Sequence, residues 1–260
     1  MAVMNDTARP GAPRPEPDIA RAARLLASAS RARILKALSD GRPLTVTVLA
    51  GEAQVSVPTA SVHLARLAEA GLVRATDAGR HRYFRLSGPE VVAALEALAL
   101  IAPPAPAPAR TLRAHSRDRA LRRSRTCYDH LAGSLGVALM AAFVDRGLLR
   151  RDQAAADTGA ERPAAYGRGA AYLLTPRGAE RFTAFGIDVP ALTAGRRPVV
   201  RYCVDWSERR HHLAGALGAA LAARLFATGW LRYGLSPRVV HLTETGTRGL
   251  ADAFAVALPD

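Results

Sequence analysis

The chain has 260 residues, a formal net charge of +14 and a sequence pI of about 11.2. Its 36 basic residues are all arginine apart from Lys36. Such charge favours a polyanionic partner, because each neutralised phosphate releases counterions, although an arginine-rich codon usage would produce it too. No apolar stretch approaches the roughly 20 residues needed to cross a bilayer. The opening M-A-V-M-N-D-T-A-R-P lacks a signal-peptide core, and two cysteines make no disulfide framework. A cytoplasmic protein with no membrane partner is expected.

Residues 1–17 are rich in Pro and Ala and are expected to be a disordered tail. Ser30 can cap a helix over R-A-R-I-L-K-A-L-S-D-G, ending at Gly41. Residues 45–54 read as a short positioning helix. The next run, 55–73, is V-S-V-P-T-A-S-V-H-L-A-R-L-A-E-A-G-L-V. Ser56 can cap a helix whose first turn tolerates Pro58, and Gly71 can end it. At about 100° per residue, Val57, Ala60, Leu64, Leu67 and Ala68 share one face. Pro58, Thr59, Val62 and Arg66 point the other way, with Ser61 and His63 on the flanks. Leu72 and Val73 begin a strand, 75–80 reads as a turn, and H-R-Y-F-R-L at 81–86 alternates as a second strand. An apolar helix over 89–101 follows Ser87, which suits a cap or turn. Helix, strand, turn and strand in this order are the end of a winged helix-turn-helix.

The segments S-R-A-R-I-L-K-A-L, S-V-P-T-A-S-V-H-L-A-R-L-A-E-A-G-L-V and G-R-H-R-Y-F-R-L resemble the ArsR/SmtB (arsenic-repressor) family of bacterial regulators over residues 18–101. The resemblance implies a homodimer formed by the first and last helices of the module, one recognition helix per half-site of a double-stranded operator, and repression relieved by a signal. The expected DNA-contacting residues are Ser56, Thr59, Ser61, Val62, His63 and Arg66, with Arg80, His81 and Arg82 from the wing. Valine can touch a thymine methyl but cannot make bidentate base contacts. Base reading therefore falls on Thr59, Ser61, His63 and Arg66. The positions where many family members bind metals carry no ligands here: 44–50 has no cysteine, and 89–101 has no His or Asp.

A Pro/Ala stretch at 102–110 reads as a stiff linker. Beyond it lies an internal repeat, R-T-C-Y-D-H-L-A-G-S-L-G at 125–136 and R-Y-C-V-D-W-S-E-R-R-H-H-L-A-G-A-L-G at 201–218. Each copy continues into a helix, a hairpin and a second helix, which Thr175 and Thr243 are placed to cap. The expected fold is mainly α with small β wings. The N-terminal winged helix-turn-helix is followed by two tandem winged-helix-like repeats, at 111–190 and 191–260, that form a sensor region. Gly133, Gly136, Gly215 and Gly218 allow close helix approach or leave space for a ligand.

The repeated R-x-C-x-D supplies sensor candidates Cys127, Asp129, Cys203 and Asp205. Arginines at 122, 123 and 125 crowd Cys127, and nearby arginine lowers a thiol's pKa. The chemistry is open between a redox or electrophile sensor, a metal or metalloid site, and two small buried residues repeated by descent. A metal would recruit Cys127, His130, Cys203, His211 and His212, though His211-His212 can equally start a helix. The arginine run at 110–125 can track phosphates or form a solvated helix face. No phosphate loop, nucleophile elbow or paired-carboxylate motif is present. The expectation is a dimeric DNA-binding repressor with a small-molecule, redox or metal inducer, not an enzyme. The alternative is a thiol- or metal-dependent enzyme whose helix-turn-helix serves protein contacts.

Overall fold

The computed structural model describes residues 16–103, 112–152 and 172–256. Most of the expected tail and most of the expected linker lie outside the described residues.

The N-terminal module runs α1 (Ile19–Leu26), α2 (Ala29–Leu38), β1 (Leu44–Thr45), α3 (Val46–Ala53), α4 (Val57–Glu69), β2 (Val73–Ala78), β3 (His81–Leu86) and α5 (Pro89–Ile101). Ser28, not Ser30, caps α2 by accepting the Arg31 N–H. Two residues earlier in the chain than Ser30, it can hold the extended backbone that a cap requires. Ser56 caps α4 with Pro58 in the first turn, and Gly71 follows its end at φ +70°. A three-stranded sheet forms in the order β1-β3-β2. The expected six-residue turn at 75–80 is shorter. The strands pair as far as Ala78↔His81, leaving Gly79, at φ +61°, and Arg80 to reverse the chain. Leu44 and Thr45 pair with Phe84 and Tyr83 as β1, a strand too short to show alternation. Ile34, Leu35, Leu38, Leu49, Leu64 and Leu67 form the buried core, with Val91, Val92 and Leu95 of α5 packed partly onto it.

The rest begins with α6 (Leu112–Arg123). A hairpin of β4 (Arg125–Cys127) and β5 (His130–Ala132) leads into α7 (Gly133–Asp145). The hairpin β6 (Leu149–Arg151) and β7 (Tyr172–Leu174) then leads into α8 (Pro176–Ala184). After α9 (Val189–Ala194) come β8 (Arg201–Val204), β9 (His211–Ala214), α10 (Gly215–Ala227), β10 (Leu231–Tyr233), β11 (Val240–Leu242) and α11 (Glu244–Phe254). Hairpin, helix, hairpin, helix thus follow one another twice. His211-His212 starts a strand, not a helix; the helix begins at Gly215. Thr175 and Thr243 each cap the helix that follows, accepting from Gly178 and Gly246 N–H at 2.9 and 3.0 Å. One core joins both halves. Phe143 meets Phe182 and Phe254 edge-on at 5.1 and 5.2 Å, tying α7, α8 and α11 together. No helix among the described residues is long and apolar enough to cross a membrane.

Charged groups join the two parts. Arg238 donates to the Ser39 carbonyl at 2.7 Å and pairs with Glu96 of α5 at 2.7 Å. The Ser236 hydroxyl donates to Asp40 at 2.9 Å. From α6, Arg117 pairs with Glu52 and Asp118 with Lys36. Arg209 donates to the Ala99 carbonyl at the end of α5. The arginine run at 110–125 therefore supplies docking contacts to the N-terminal module.

Candidate nucleic-acid interface and candidate metal centre

Helix α4 buries Ala60, Leu64 and Leu67 and leaves Ser56, Thr59, Ser61, Val62 and Arg66 exposed. Val57 and Ala68 do not join the buried face: Val57, in the first turn, is 41% exposed, and Ala68 lies outward near the helix end. Thr59 shares its hydroxyl with Ser56, the capping residue, at 2.8 Å. His63 is half-buried, its Nδ1 shielded and without a hydrogen bond. Burial, then the charges of Arg31 and Arg66, pull its pKa below the ordinary value. Arg80, His81 and Arg82 stand exposed at the wing tip. Arg82 lies 3.8 Å from its cross-strand neighbour Asp77.

A second constellation lies in the C-terminal part. Cys127 sits opposite His130 across β4-β5, and Cys203 opposite His212 across β8-β9. One ligand atom from each of these four residues comes within 4.8 Å of all the others. The six residues inserted before His212 lengthen the loop but leave this pairing in register. The two hairpins also pack on each other's helices. A Cβ on Gly136 would lie 2.5 Å from the Leu131 carbonyl oxygen and 3.5 Å from His212 Cβ. A Cβ on Gly218 would lie 2.8 Å from the Leu213 oxygen and 3.3 Å from His130 Cβ. These glycines permit close approach and leave no ligand space. They press the two imidazoles together, with ring centroids 5.2 Å apart.

The other sensor candidates take different places. His211 is outside the cluster; its Nδ1 hydrogen-bonds Tyr172 Oη at 2.8 Å. Asp205 is fully buried, paired with Arg125 at 2.9 Å and accepting the Gly133 N–H at 2.6 Å. Asp129 accepts from Arg197 and lies 3.3 Å from His130 Nδ1. Two of the arginines expected to activate Cys127 are engaged elsewhere. Arg125 pairs with Asp205, and Arg122 pairs with Asp118 and stacks on Trp206. Cys127 instead has its pKa pushed well up, by the adjacent Cys203 sulfur and then by burial. The same contact pulls Cys203 below its ordinary value. Burial depresses His130, but the Cys127 sulfur and Asp129 outweigh it and leave its pKa raised. Burial and the nearby His130 push His212 down to about 3, so it is a neutral imidazole. Cys127, His130, Cys203 and His212 could hold a metal ion.

The grouping was latent in the repeat. His130 maps onto His212 with the same offset as Leu131 onto Leu213, and Cys127 onto Cys203. Two Cys/His pairs, one per copy, follow from that alignment. What the spacing lacks is any statement that the copies face each other.

The family profile described as "Helix-turn-helix domain" matches residues 26–75. The HTH-type transcriptional regulator YdfF of Bacillus subtilis (strain 168) is 37% identical over 230 residues, covering 88% of this chain and 94% of its own. The homodimeric winged helix-turn-helix DNA-binding domain Mb0332 of Mycobacterium bovis is 29% identical. That match covers 32% of this chain and 76% of that one, with a TM-score of 0.30. The cadmium metal-sensor CMTR of Mycobacterium tuberculosis is 33% identical, over 36% of this chain and 100% of its own, with a TM-score of 0.29. Sequence identity along nearly the whole chain, the matched helix-turn-helix and the wing agree: this chain belongs to the HTH-type transcriptional regulators, with a winged helix-turn-helix at its N-terminus.

Proposed function

We propose that the protein is a dimeric repressor whose C-terminal part, two tandem winged-helix-like repeats, receives the signal that releases DNA. The observation that carries this reading is the exposure of the polar side of α4 beside an exposed basic wing, while its apolar side is held in the core. A recognition helix needs that division of faces to enter a major groove. Residues 18–101 bind and dimerise, and 111–260 sense.

Dimerisation through α1 and α5 is supported by their surfaces. Neither helix has a buried residue, although α5 is strongly apolar. Ile19 is 77% exposed and Ile101 is 81% exposed. A two-fold pair of recognition helices would read half-sites about one DNA turn apart. The repeat reading is supported by the recurring order of hairpin, helix, hairpin and capped helix. The sensing reading is supported by the Cys/His cluster, which lies where the two copies meet and touches α5 through Glu96.

The test is operator binding. The full chain is titrated into its own upstream DNA and into scrambled DNA, with binding followed by fluorescence anisotropy at fixed salt. Preferential binding of the upstream fragment is expected. Arg66→Ala is expected to weaken it by about 1–3 kcal/mol, the worth of one good base contact. Equal affinity of native and variant chains would remove Arg66 from the interface. Absence of upstream preference would refute the reading.

A further inference from the structure

We propose that Cys127, His130, Cys203 and His212 form a four-coordinate site for a divalent ion of the zinc class, and that Glu96 transmits its occupancy to α5. The proposal rests on the repressor reading for its regulatory half only; the metal site stands on its own geometry.

Tetrahedral zinc, with sulfur at about 2.3 Å and imidazole nitrogen at about 2.0–2.1 Å, sets its donors about 3.3–3.8 Å apart. The four donors already lie within 4.8 Å of one another, so side-chain adjustment alone can close the shell. Each hairpin brings one sulfur and one imidazole on directly opposed residues, so backbone pairing holds the set before any ion arrives. The ring atoms His130 Nε2, His212 Nδ1 and His212 Nε2 are buried and have no hydrogen bond. Residue exposure is 4% for His130 and 1% for His212. A buried polar atom without a partner is costly, and a metal would give one nitrogen of each ring a partner.

Asp129 fits the same purpose, lying 3.3 Å from His130 Nδ1, whereas Asp205 stands 3.7 Å from His212 Nδ1, outside hydrogen-bond reach. A carboxylate on the outer nitrogen of a ligating histidine fixes its ring and tautomer and turns the other nitrogen to the metal. The R-x-C-x-D motif thus supplies a cysteine ligand from each copy and, in the first, the carboxylate that orients His130. Two thiolates and two neutral imidazoles carry a charge of minus two. A divalent cation cancels it, which a buried site requires. The thiols release their protons to water as the metal–sulfur bonds form.

Glu96 connects this site to the DNA-binding module. Its Oε2 receives the Cys127 thiol at 3.7 Å, and its Oε1 is held by Arg238 at 2.7 Å with Arg125 at 3.8 Å. A metal-bound thiolate has no proton to donate, so occupancy removes the Cys127 contact and leaves Glu96 facing an anionic sulfur. Arg238 also grips Ser39 and Thr126, so a shift of Glu96 is felt at the end of α2 and along α5 together.

The experiment uses the full chain, reduced and freed of metal, with Co2+ as spectroscopic probe and Zn2+ as competitor. The native chain is expected to bind one Co2+ with strong visible bands of tetrahedral symmetry and a near-ultraviolet thiolate-to-cobalt band. Zn2+ is expected to displace it. Asp129→Asn is expected to weaken binding by about 10–100-fold with the spectrum retained. A weak octahedral spectrum, or a thiolate band that survives in Cys203→Ser and Cys127→Ser alike, would overturn the site. In the second arm, operator affinity is measured with and without Zn2+. The native chain should shift by about 5–150-fold, the usual span of allosteric coupling. Glu96→Gln should keep the tetrahedral cobalt spectrum and lose the shift. A Zn2+ shift in Glu96→Gln as large as in the native chain would overturn the link. Upstream binding by the metal-free chain tests the repressor reading separately from both arms.

Discussion

Arg82 and Asp205 mark two extremes of what a charged residue does in this chain. Arg82 is exposed on the wing beside Asp77, an open pairing that water and salt screen. It is therefore available to a phosphate. Arg82→Ala should weaken binding to all sequences alike and reduce the slope of log affinity against log salt by about one. A slope equal to that of the native chain would exclude a phosphate contact. Asp205, by contrast, has no exposed surface. The R-x-C-x-D repeat made both aspartates visible as equivalents, yet Asp129 pairs with Arg197 near the surface while Asp205 closes on Arg125 from the other copy. Identical neighbours in sequence acquired different partners because Asp205 lies buried where Arg125 of the other copy reaches it, while Asp129 lies nearer the surface beside Arg197.

At the scale of elements, α4 was legible because capping and punctuation coincide with periodicity, and α5, which starts behind Gly88 with no side-chain cap from Ser87, because its run is so apolar. The serine cap, the early proline and the glycine after its end give α4 its limits within a residue or two. Ser56→Ala should cost about 1 kcal/mol of stability, since it leaves the Thr59 N–H without its acceptor. Chemical denaturation of the full chain checks this; an unchanged midpoint would mean that the capping bond contributes nothing. The elements that were not legible are short. A two-residue strand such as β1 exists only because β3 lies beside it. The β9 strand at His211-His212 was masked by the loop of inserted residues, which changes the spacing but not the register.

For the whole molecule, the Arg125–Asp205 pair is a bond between the two copies. Burial pushes the Asp205 carboxyl up, but the Arg125 charge, the Ser207 hydroxyl and the Gly133 N–H outweigh it and bring its pKa down to about 2. A carboxyl whose pKa is lower in the folded state stabilises that state above its unfolded value of about 3.9. The contribution fades as pH falls from about 4 to about 2. Acid unfolding of the metal-free chain should therefore steepen in that window by about 2–3 kcal/mol. Asp205→Asn should remove this dependence and cost about 3–5 kcal/mol at neutral pH, because it leaves Arg125 buried beside a neutral group. A variant as stable as the native chain would show the pair to be dispensable.

Local chemistry along the chain was enough to specify the winged helix-turn-helix. Caps, apolar spacing and turn residues act over a few positions and need no distant partner. The recurrence of R-x-C-x-D was also plain, as was the kind of donor atom it carries. Only the folded chain decided that the copies bury one shared core, that their hairpins face each other, and that two Cys/His pairs far apart in sequence close into one centre against Glu96. The physical reason is that a coordination shell is set by distances across an interface, and spacing along a chain says nothing of which surfaces will meet.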